Sequence, residues 1–151
     1  AYYKDRGSSL YDALLDIYLQ HGYYREKLVS VYKRGREGAE EIQKMLANYR
    51  EHPPKQLAGS KVVVIKDYKT QVSTNIETGE TKDIELPTSN VLQFFTEDGT
   101  IVSVRPSGTE PKIKFYCSVN ADLPNRTAFD DKTQMLDNKM DTVIQELTGG
   151  N

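Results

Sequence analysis

The sequence has few of the residues that build disulfides or metal centres. Its 151 residues include one cysteine, two histidines and no tryptophan. A single cysteine, Cys117, cannot form an internal disulfide, and two histidines with one cysteine are a poor supply of zinc ligands. A reducing compartment is therefore expected, which favours the cytoplasm.

Strong net charge and long apolar runs are also absent. The 20 basic residues nearly balance the 22 acidic ones, for a formal charge of −2, so no bulk field attracts nucleic acid. No apolar run of about 18 residues is present, and the chain does not open on a secretion signal. The chain begins with Ala1 rather than Met, and its opening residues resemble chain interior, as expected of a piece of a longer protein. We expect one compact unit that binds neither nucleic acid nor a membrane.

Apolar residues recur at helical spacing in three segments. The segments begin near Ser9, Gly38 and Thr127 and end near Gly22, Pro53 and Leu147, where capping or helix-breaking residues stand. In the first helix one face is predicted to carry Leu10, Leu14, Ile17 and Tyr18. Should the partner of this helix be missing, Leu10, Leu14 and Ile17 would form an exposed apolar patch.

Strands are predicted at 28–32, 61–68, 91–95, 100–105 and 112–119. The last strand alternates strictly, with Ile113, Phe115, Cys117 and Val119 on one face, so Cys117 is expected in the core. The pair Asp98 and Gly99 predicts a hairpin turn, and a second turn is expected at residues 78–79. The element order is a helix followed by β-α-β-β-β-α with extra hairpin length.

Residues 105–111 (RPSGTEP) have the composition of an anion-binding loop between two strands. Arg105 can offer a planar fork of donors to two phosphate oxygens, and Ser107 and Thr109 add hydroxyl donors. Gly108 allows backbone N–H groups to turn toward one point. The residues alone leave a second interpretation open, a plain connecting loop in which Ser, Gly and Pro serve turn geometry.

Glu110 is the one loop residue that does not fit as an anion ligand, because a carboxylate repels a phosphate beside it. Its expected role is to orient Arg105 or to pair with Lys112 or Lys114. The loop is therefore expected to contain one acidic side chain with a supporting role.

Two further groups of polar residues are candidates for chemistry. His21 could serve as an acid or base, but at the end of a helix it is expected to be a cation that interacts with the helix dipole. The basic residues Lys33, Arg34 and Arg36 surround Gly35. They could bind an anion at the N-terminus of the next helix, or they could form an exposed basic loop.

Residues 105–116 (RPSGTEPKIKFY) resemble the signature loop of the last domain of the α-D-phosphohexomutase superfamily, which includes phosphoglucomutases and phosphomannomutases. Residues 10–24 (LYDALLDIYLQHGYY) resemble the last helix of the preceding domain in the phosphoglucomutase branch. Residues 33–50, which begin KRGREG, resemble the first helix region of the final domain, and residues 86–111 resemble its sheet. The resemblance covers nearly the whole chain.

This resemblance implies an α+β fold, in which an antiparallel sheet carries helices on one face as in the TATA-box-binding protein, preceded by one extra helix. It also implies a boundary at residue 22. Residues 1–22 would be the C-terminal helix of a preceding domain, and residues 23–151 the C-terminal substrate-phosphate-binding domain. The helix at 9–22 is then expected to pack separately from the sheet domain.

The family's reaction interconverts hexose 1-phosphate and hexose 6-phosphate through a bisphosphorylated intermediate, a phosphoserine and Mg²⁺. By resemblance, this domain would grip the phosphate that is not being transferred, with glucose or mannose phosphates as ligands and the other domains of the parent chain as partners. The family's phosphate contacts carry over to Arg105, Ser107, Gly108 and Thr109, with Lys112 as a further candidate.

The family's catalytic motifs do not occur in this sequence. A serine loop of the TASHNP type, a metal loop of the DGDGDR type and a sugar-recognising loop of the GEESG type are all missing. We therefore expect no catalytic residue, no metal ligand and no turnover by the isolated chain, and the preferred sugar is not encoded here. The alternative is a stand-alone module that binds an anion or a protein and has no catalytic parent.

Overall fold

The computed structural model describes residues 9–149. Residues 1–8 of the predicted N-terminal segment lie outside the described residues, as do residues 150 and 151. The elements are α1 (Leu10–His21), β1 (Tyr23–Tyr32), α2 (Gly35–Glu51), β2 (Gln56–Leu57), β3 (Ser60–Asp67), β4 (Val72–Asn75), β5 (Thr81–Asp83), β6 (Leu92–Thr96), β7 (Ile101–Pro106), β8 (Lys112–Ala121), a 3-10 turn (Arg126–Ala128) and α3 (Phe129–Thr148).

The strands form one antiparallel sheet in the order β1-β8-β7-β6-β3-β4-β5, with β2 paired to β3. The predicted α+β class with an antiparallel sheet is confirmed. The four strands predicted between α2 and α3 are present as β3, β6, β7 and β8, and the structure adds β2, β4 and β5 to them. The turn between β4 and β5 includes Gly79, where φ is 71° and the left-handed region favours glycine.

Helices α2 and α3 cover one face of the sheet. The buried residues of β8 alternate with less buried ones as predicted, and Cys117 is one of the buried residues. The ring of Tyr49 in α2 lies against Phe94 and Phe115, and its hydroxyl donates a hydrogen bond to the carbonyl of Leu147 in α3. The largest fully buried side chains are Tyr23, Phe94, Phe115, Leu46, Leu57, Leu92, Ile113 and Leu136.

The strand predicted at 28–32 is confirmed, but it begins five residues earlier than expected, because β1 spans ten residues and pairs with β8 over its full length. Its first half is polar, and three side chains there are held by α3: Tyr23, Arg25 and Lys27 contact Thr133, Asp137 and Asp141. Helix α2 also begins at Gly35 rather than near Gly38, before its apolar residues appear.

Helix α1 has two apolar faces. Leu15 is buried in the common core, and Tyr18 packs against Tyr23 and Phe129, so Tyr18 does not share a face with Leu10, Leu14 and Ile17 as predicted. Leu10, Leu14 and Ile17 remain 89%, 43% and 50% exposed, which confirms the predicted patch. Arg126 ties α1 to the rest of the chain through ion pairs with Asp12 and Asp16. The domain boundary at residue 22 stays a prediction.

Candidate anion-binding site

The loop between β7 and β8 is closed by its own main chain. The N–H of Ser107 donates to the carbonyl of Lys112 at 2.9 Å, and the N–H of Lys112 donates to the carbonyl of Glu110 at 2.8 Å. The hydroxyl oxygens of Ser107 and Thr109 lie 3.5 Å apart, and the N–H of Thr109 donates to the Ser107 hydroxyl at 3.4 Å. The two hydroxyls therefore lie side by side at the tip of the loop.

A pocket of about 290 Å³ separates this loop from the first turns of α2. It is lined by Gly35, Ala39, Ile42, Gln43 and residues 106–112. The N–H of Lys33 donates to the carbonyl of Pro111 at 2.8 Å and so ties the loop to the segment that enters α2. A Cβ at Gly38 would lie 2.7 Å from the backbone carbon of Lys33, so only glycine lets the first turn of α2 pack this closely against Lys33.

The N-terminus of α2 adjoins the pocket without a side-chain cap. Arg34 occupies the N-cap position, and its side chain makes no capping hydrogen bond. The first N–H groups of a helix have no intrahelical acceptor, and the helix dipole adds partial positive charge there. Such a terminus attracts anions, and Gly35 places it on the pocket wall. The structure thus joins the basic segment around Gly35 to the loop some 70 residues later.

Of the five predicted phosphate contacts, four line this pocket and one does not. Ser107, Gly108, Thr109 and Lys112 line it. Arg105 instead lines a separate depression of about 610 Å³ on the sheet face opposite the helices, where its guanidinium carbon lies 5.6 Å from the centroid of the Tyr116 ring. The expected convergence of donors is therefore incomplete in this conformation, and the phosphate contacts stay predictions.

Gly108 is not required by the fold of the loop. Its φ lies outside the left-handed region, and a Cβ built there would meet no heavy atom within 4 Å beyond its chain neighbours. Backbone strain therefore gives no reason for a glycine at this position. Close approach of a ligand to the main chain would supply one.

Glu110 pairs with Lys112, one of the partners expected for it, at 2.5 Å. The hydrogen bond from Lys112 lowers the pKa of Glu110, and the same bond raises the pKa of Lys112. The ammonium group of Lys112 also lies 5.2 Å from the centroid of the Tyr32 ring. Lys112 is therefore held between a carboxylate and an aromatic face.

The other candidates His21, Lys33 and Cys117 do not line this pocket. His21 lies in the last turn of α1 as predicted, and the ammonium group of Lys33 pairs with Glu41 at 3.5 Å. Burial raises the pKa of the Cys117 thiol to about 11, which makes it a poor nucleophile. Among residues 9–149, no group of three or more His, Cys, Asp or Glu side chains is arranged to hold a metal ion.

These observations define an α+β domain with a donor-rich loop placed against a helix N-terminus. The family model described as "Phosphoglucomutase/phosphomannomutase, C-terminal domain" matches residues 33–122. Because the match covers more than half of the chain, this chain belongs to the phosphoglucomutase/phosphomannomutase family and corresponds to its C-terminal domain. The resemblance identified from the loop is confirmed.

Curated relatives agree with this assignment. The chain is 40% identical over 119 residues to a phosphoglucomutase of Staphylococcus haemolyticus, covering 79% of this chain, and 38% identical over 130 residues to one of Staphylococcus aureus, covering 86%. In both cases the match spans 22% of the relative's length. A solved open form of the Paramecium phosphoglucomutase parafusin aligns over 98% of this chain and 26% of its own, at 13% identity and a TM-score of 0.46.

No helix in the described part of the chain is both long and apolar enough to cross a membrane.

Proposed function

We propose that this domain holds the non-transferred phosphate of a sugar phosphate in the pocket between the 106–112 loop and the N-terminus of α2. The observation that carries the proposal is that the loop and the N-terminus of α2 line the same pocket. The hydroxyls of Ser107 and Thr109 line one side, and the uncapped first turn of α2 at Gly35 lines the other. Two elements distant in sequence thus present donors to one space of about 290 Å³.

Charge is supplied from the edges of this pocket. Lys112 lines it directly, and Arg105 stands at the base of the loop, one residue before Pro106. Hydrogen bonds to ionised groups are about twice as strong as neutral ones, so Arg105 is expected to dominate once it leaves the Tyr116 ring and reaches the anion. A forked guanidinium matches two phosphate oxygens in a way that an ammonium cannot.

The parent enzyme would interconvert hexose 1-phosphate and hexose 6-phosphate through a bisphosphorylated sugar and a phosphoserine, in the cytoplasm. Because either end of the sugar faces the serine in turn, the enzyme needs a second fixed site for the phosphate that is not reacting. Mg²⁺ would support phosphoryl transfer at a loop that this sequence lacks. We expect the isolated chain to be inactive, because its residues include neither the serine loop nor the metal loop.

The other domains of the parent chain are the partners we propose. The chain spans about a fifth of the length of the relatives it matches. The exposed face of α1, formed by Leu10, Leu14 and Ile17, is the surface we assign to contact with the preceding domain.

Titration of the 151-residue chain with inorganic phosphate and with glucose 6-phosphate tests the site, with backbone amide shifts as the readout. We expect shifts in residues 106–112 and at the start of α2, with affinity of about millimolar order because the sugar contacts and domain closure are absent. Arg105→Ala should weaken binding about tenfold or more, since a hydrogen bond to an ionised group is lost. Shifts confined to other regions would refute the proposed site.

Lys66→Ala is the matched control for Arg105→Ala. Its ammonium group also lies over an aromatic ring, 5.0 Å from the centroid of Phe95, but it does not line the pocket. The control should leave phosphate affinity within about twofold of the unsubstituted chain. An equal loss of phosphate affinity in both variants would mean that Arg105 contributes only its positive charge to the overall electrostatic potential and does not contact the phosphate.

A further inference from the structure

Lys112 is the only basic residue among the described residues that line the pocket, and its ammonium group is paired with Glu110. Their closest nitrogen–oxygen distance is 2.5 Å, and both residues line the pocket together with Ser107 and Thr109. A phosphate bound among these residues would need the same ammonium group that the carboxylate holds. The two anions therefore compete for one cation.

The two partners differ in their freedom to move. The side chain of Glu110 is 53% exposed, whereas that of Lys112 is 16% exposed. Lys112 is also held by the Tyr32 ring, 5.2 Å from its ammonium group. A carboxylate at the rim can turn into water at little cost, while the ammonium group stays in place. When an anion arrives, Glu110 is the partner that leaves.

The loop does not depend on this carboxylate for its shape. Three main-chain hydrogen bonds hold it: Ser107 to Lys112, Lys112 to Glu110, and Lys33 to Pro111. In the last two of these Glu110 and Pro111 contribute carbonyl groups, and no side chain of the loop is involved. Removing the charge of Glu110 is therefore expected to leave the loop conformation intact.

We infer that Glu110 is a displaceable internal counter-ion that weakens the hold of this loop on phosphate. The inference rests on the proposed function and specifies how that site is regulated. In the proposed reaction the sugar must turn around between two phosphoryl transfers, so the loop must release one phosphate and accept the other. A carboxylate that returns to Lys112 as phosphate departs favours that release. The loop is then tuned for exchange and not for maximal affinity.

The test is Glu110→Gln in the 151-residue chain, with inorganic phosphate as the titrant and amide shifts of the loop as the readout. Losing the competing charge should tighten phosphate binding about two- to fivefold, the range expected for an exposed ion pair. Glu77→Gln is the matched control. Glu77 forms a similar pair with Lys61 at 2.8 Å, and its side chain is 49% exposed. Lys61 neighbours Val62, which pairs with Thr96 at the end of β6, next to the start of β7. The 106–112 loop follows the other end of β7, so the control pair lies at the opposite end of the sheet.

A second background separates competition for Lys112 from direct repulsion of phosphate. In Lys112→Met the cation is absent, so adding Glu110→Gln should change phosphate affinity by less than about 1.5-fold. A full two- to fivefold gain in that background would show that Glu110 repels the ligand directly and would overturn the counter-ion role. So would weaker or unchanged binding by Glu110→Gln alone, or an equal gain in Glu77→Gln.

Failure of the underlying site gives a different result. If phosphate perturbs no loop amide in the unsubstituted chain or in any variant, the proposed phosphate site itself is wrong. If phosphate does perturb the loop in the unsubstituted chain and Glu110→Gln gives no gain, only the counter-ion inference is refuted. Unchanged amide shifts outside the loop in ligand-free Glu110→Gln confirm that the variant keeps the fold.

Discussion

Asp98, in the turn between β6 and β7, provides the sharpest test of what stabilises this domain. Its carboxylate accepts hydrogen bonds from the hydroxyl of Thr96 at 2.5 Å, the hydroxyl of Thr100 at 2.9 Å and the N–H of Thr100 at 3.2 Å. It also pairs with the ammonium group of Lys139 in α3. One carboxylate therefore closes the hairpin and attaches it to the last helix.

The substitution Asp98→Asn keeps the shape of this side chain and removes its charge. A hydrogen bond to an ionised group contributes about 1.5–3 kcal/mol, and the carboxylate is about a third exposed, which screens the interaction with Lys139. The side chain of Lys139 is only 19% exposed and would lose its ion-pair partner. We expect a loss of about 1–2 kcal/mol of unfolding free energy at pH 7.

The same contacts set the sign of the pH dependence. Burial alone would raise the pKa of Asp98, but hydrogen bonds from Lys139, Thr96 and Thr100 outweigh it and hold the pKa well below its ordinary value. A depressed carboxylate pKa gives stability that is fully present above the unfolded value of about 4 and is lost as the pH falls through the folded value. The difference between the unsubstituted chain and Asp98→Asn should therefore shrink below about pH 4.

Urea unfolding followed by circular dichroism at pH 7, 5 and 3 measures this difference. Asp141→Asn is the control, because Asp141 forms a surface pair with Lys27 at 2.6 Å and its side chain is 62% exposed. The control should lose less than about 0.5 kcal/mol. Equal losses in the two variants, or a difference that stays constant from pH 7 to pH 3, would refute the role assigned to Asp98.

Two further predictions concern accessibility. Cys117 should resist a thiol reagent at pH 8 in the native chain and react fully in denaturant, because its pKa is raised to about 11 and its side chain is buried; rapid native labelling would contradict this. The amides of α1 should exchange at lower free energy than those of residues 112–119, because one apolar face of the helix stays exposed, whereas the inward face of β8 is fully buried; equal protection would make α1 integral to the sheet domain.

Local periodicity was enough to predict the elements whose own side chains carry the pattern. The alternation in β8 and the apolar stripe of α3 are such cases, since each buried face can be read from one segment. The first half of β1 could not be found in this way. Residues 23–27 are mostly polar, and they form a strand because β8 pairs with them and α3 holds their side chains. That stabilisation comes from segments about 90 to 115 residues away.

The sequence could not determine which face of α1 is buried, for a related reason. Leu10, Leu14 and Ile17 form one apolar face, and Leu15, Tyr18 and Leu19 form another. Spacing within the helix cannot decide which face is buried. Aromatic contacts with Tyr23 and Phe129 decide in favour of the second face.

The placement of Arg105 could have been predicted from its own strand. Val102 and Val104 of β7 are buried against the helices, and side chains alternate along a strand, so Arg105 faces the opposite side of the sheet. What the sequence could not provide was the second wall of the pocket. The contact between Gly35 and the loop depends on how α2 crosses the sheet.

These placements limit how the proposed site can acquire its positive charge. Arg105 lies over the ring of Tyr116 and does not line the pocket, and it belongs to a strand whose inward neighbours are fully buried. This strand cannot rotate without exposing that core, so Arg105 can reach a phosphate only by changing its side-chain rotamer. A rotamer change gives up a cation–π contact of about 0.5–1 kcal/mol at an exposed site, which a charge-assisted hydrogen bond to phosphate outweighs. Under the proposed function, phosphate binding therefore reorients Arg105, displaces Glu110 from Lys112 and leaves the backbone of the loop in place.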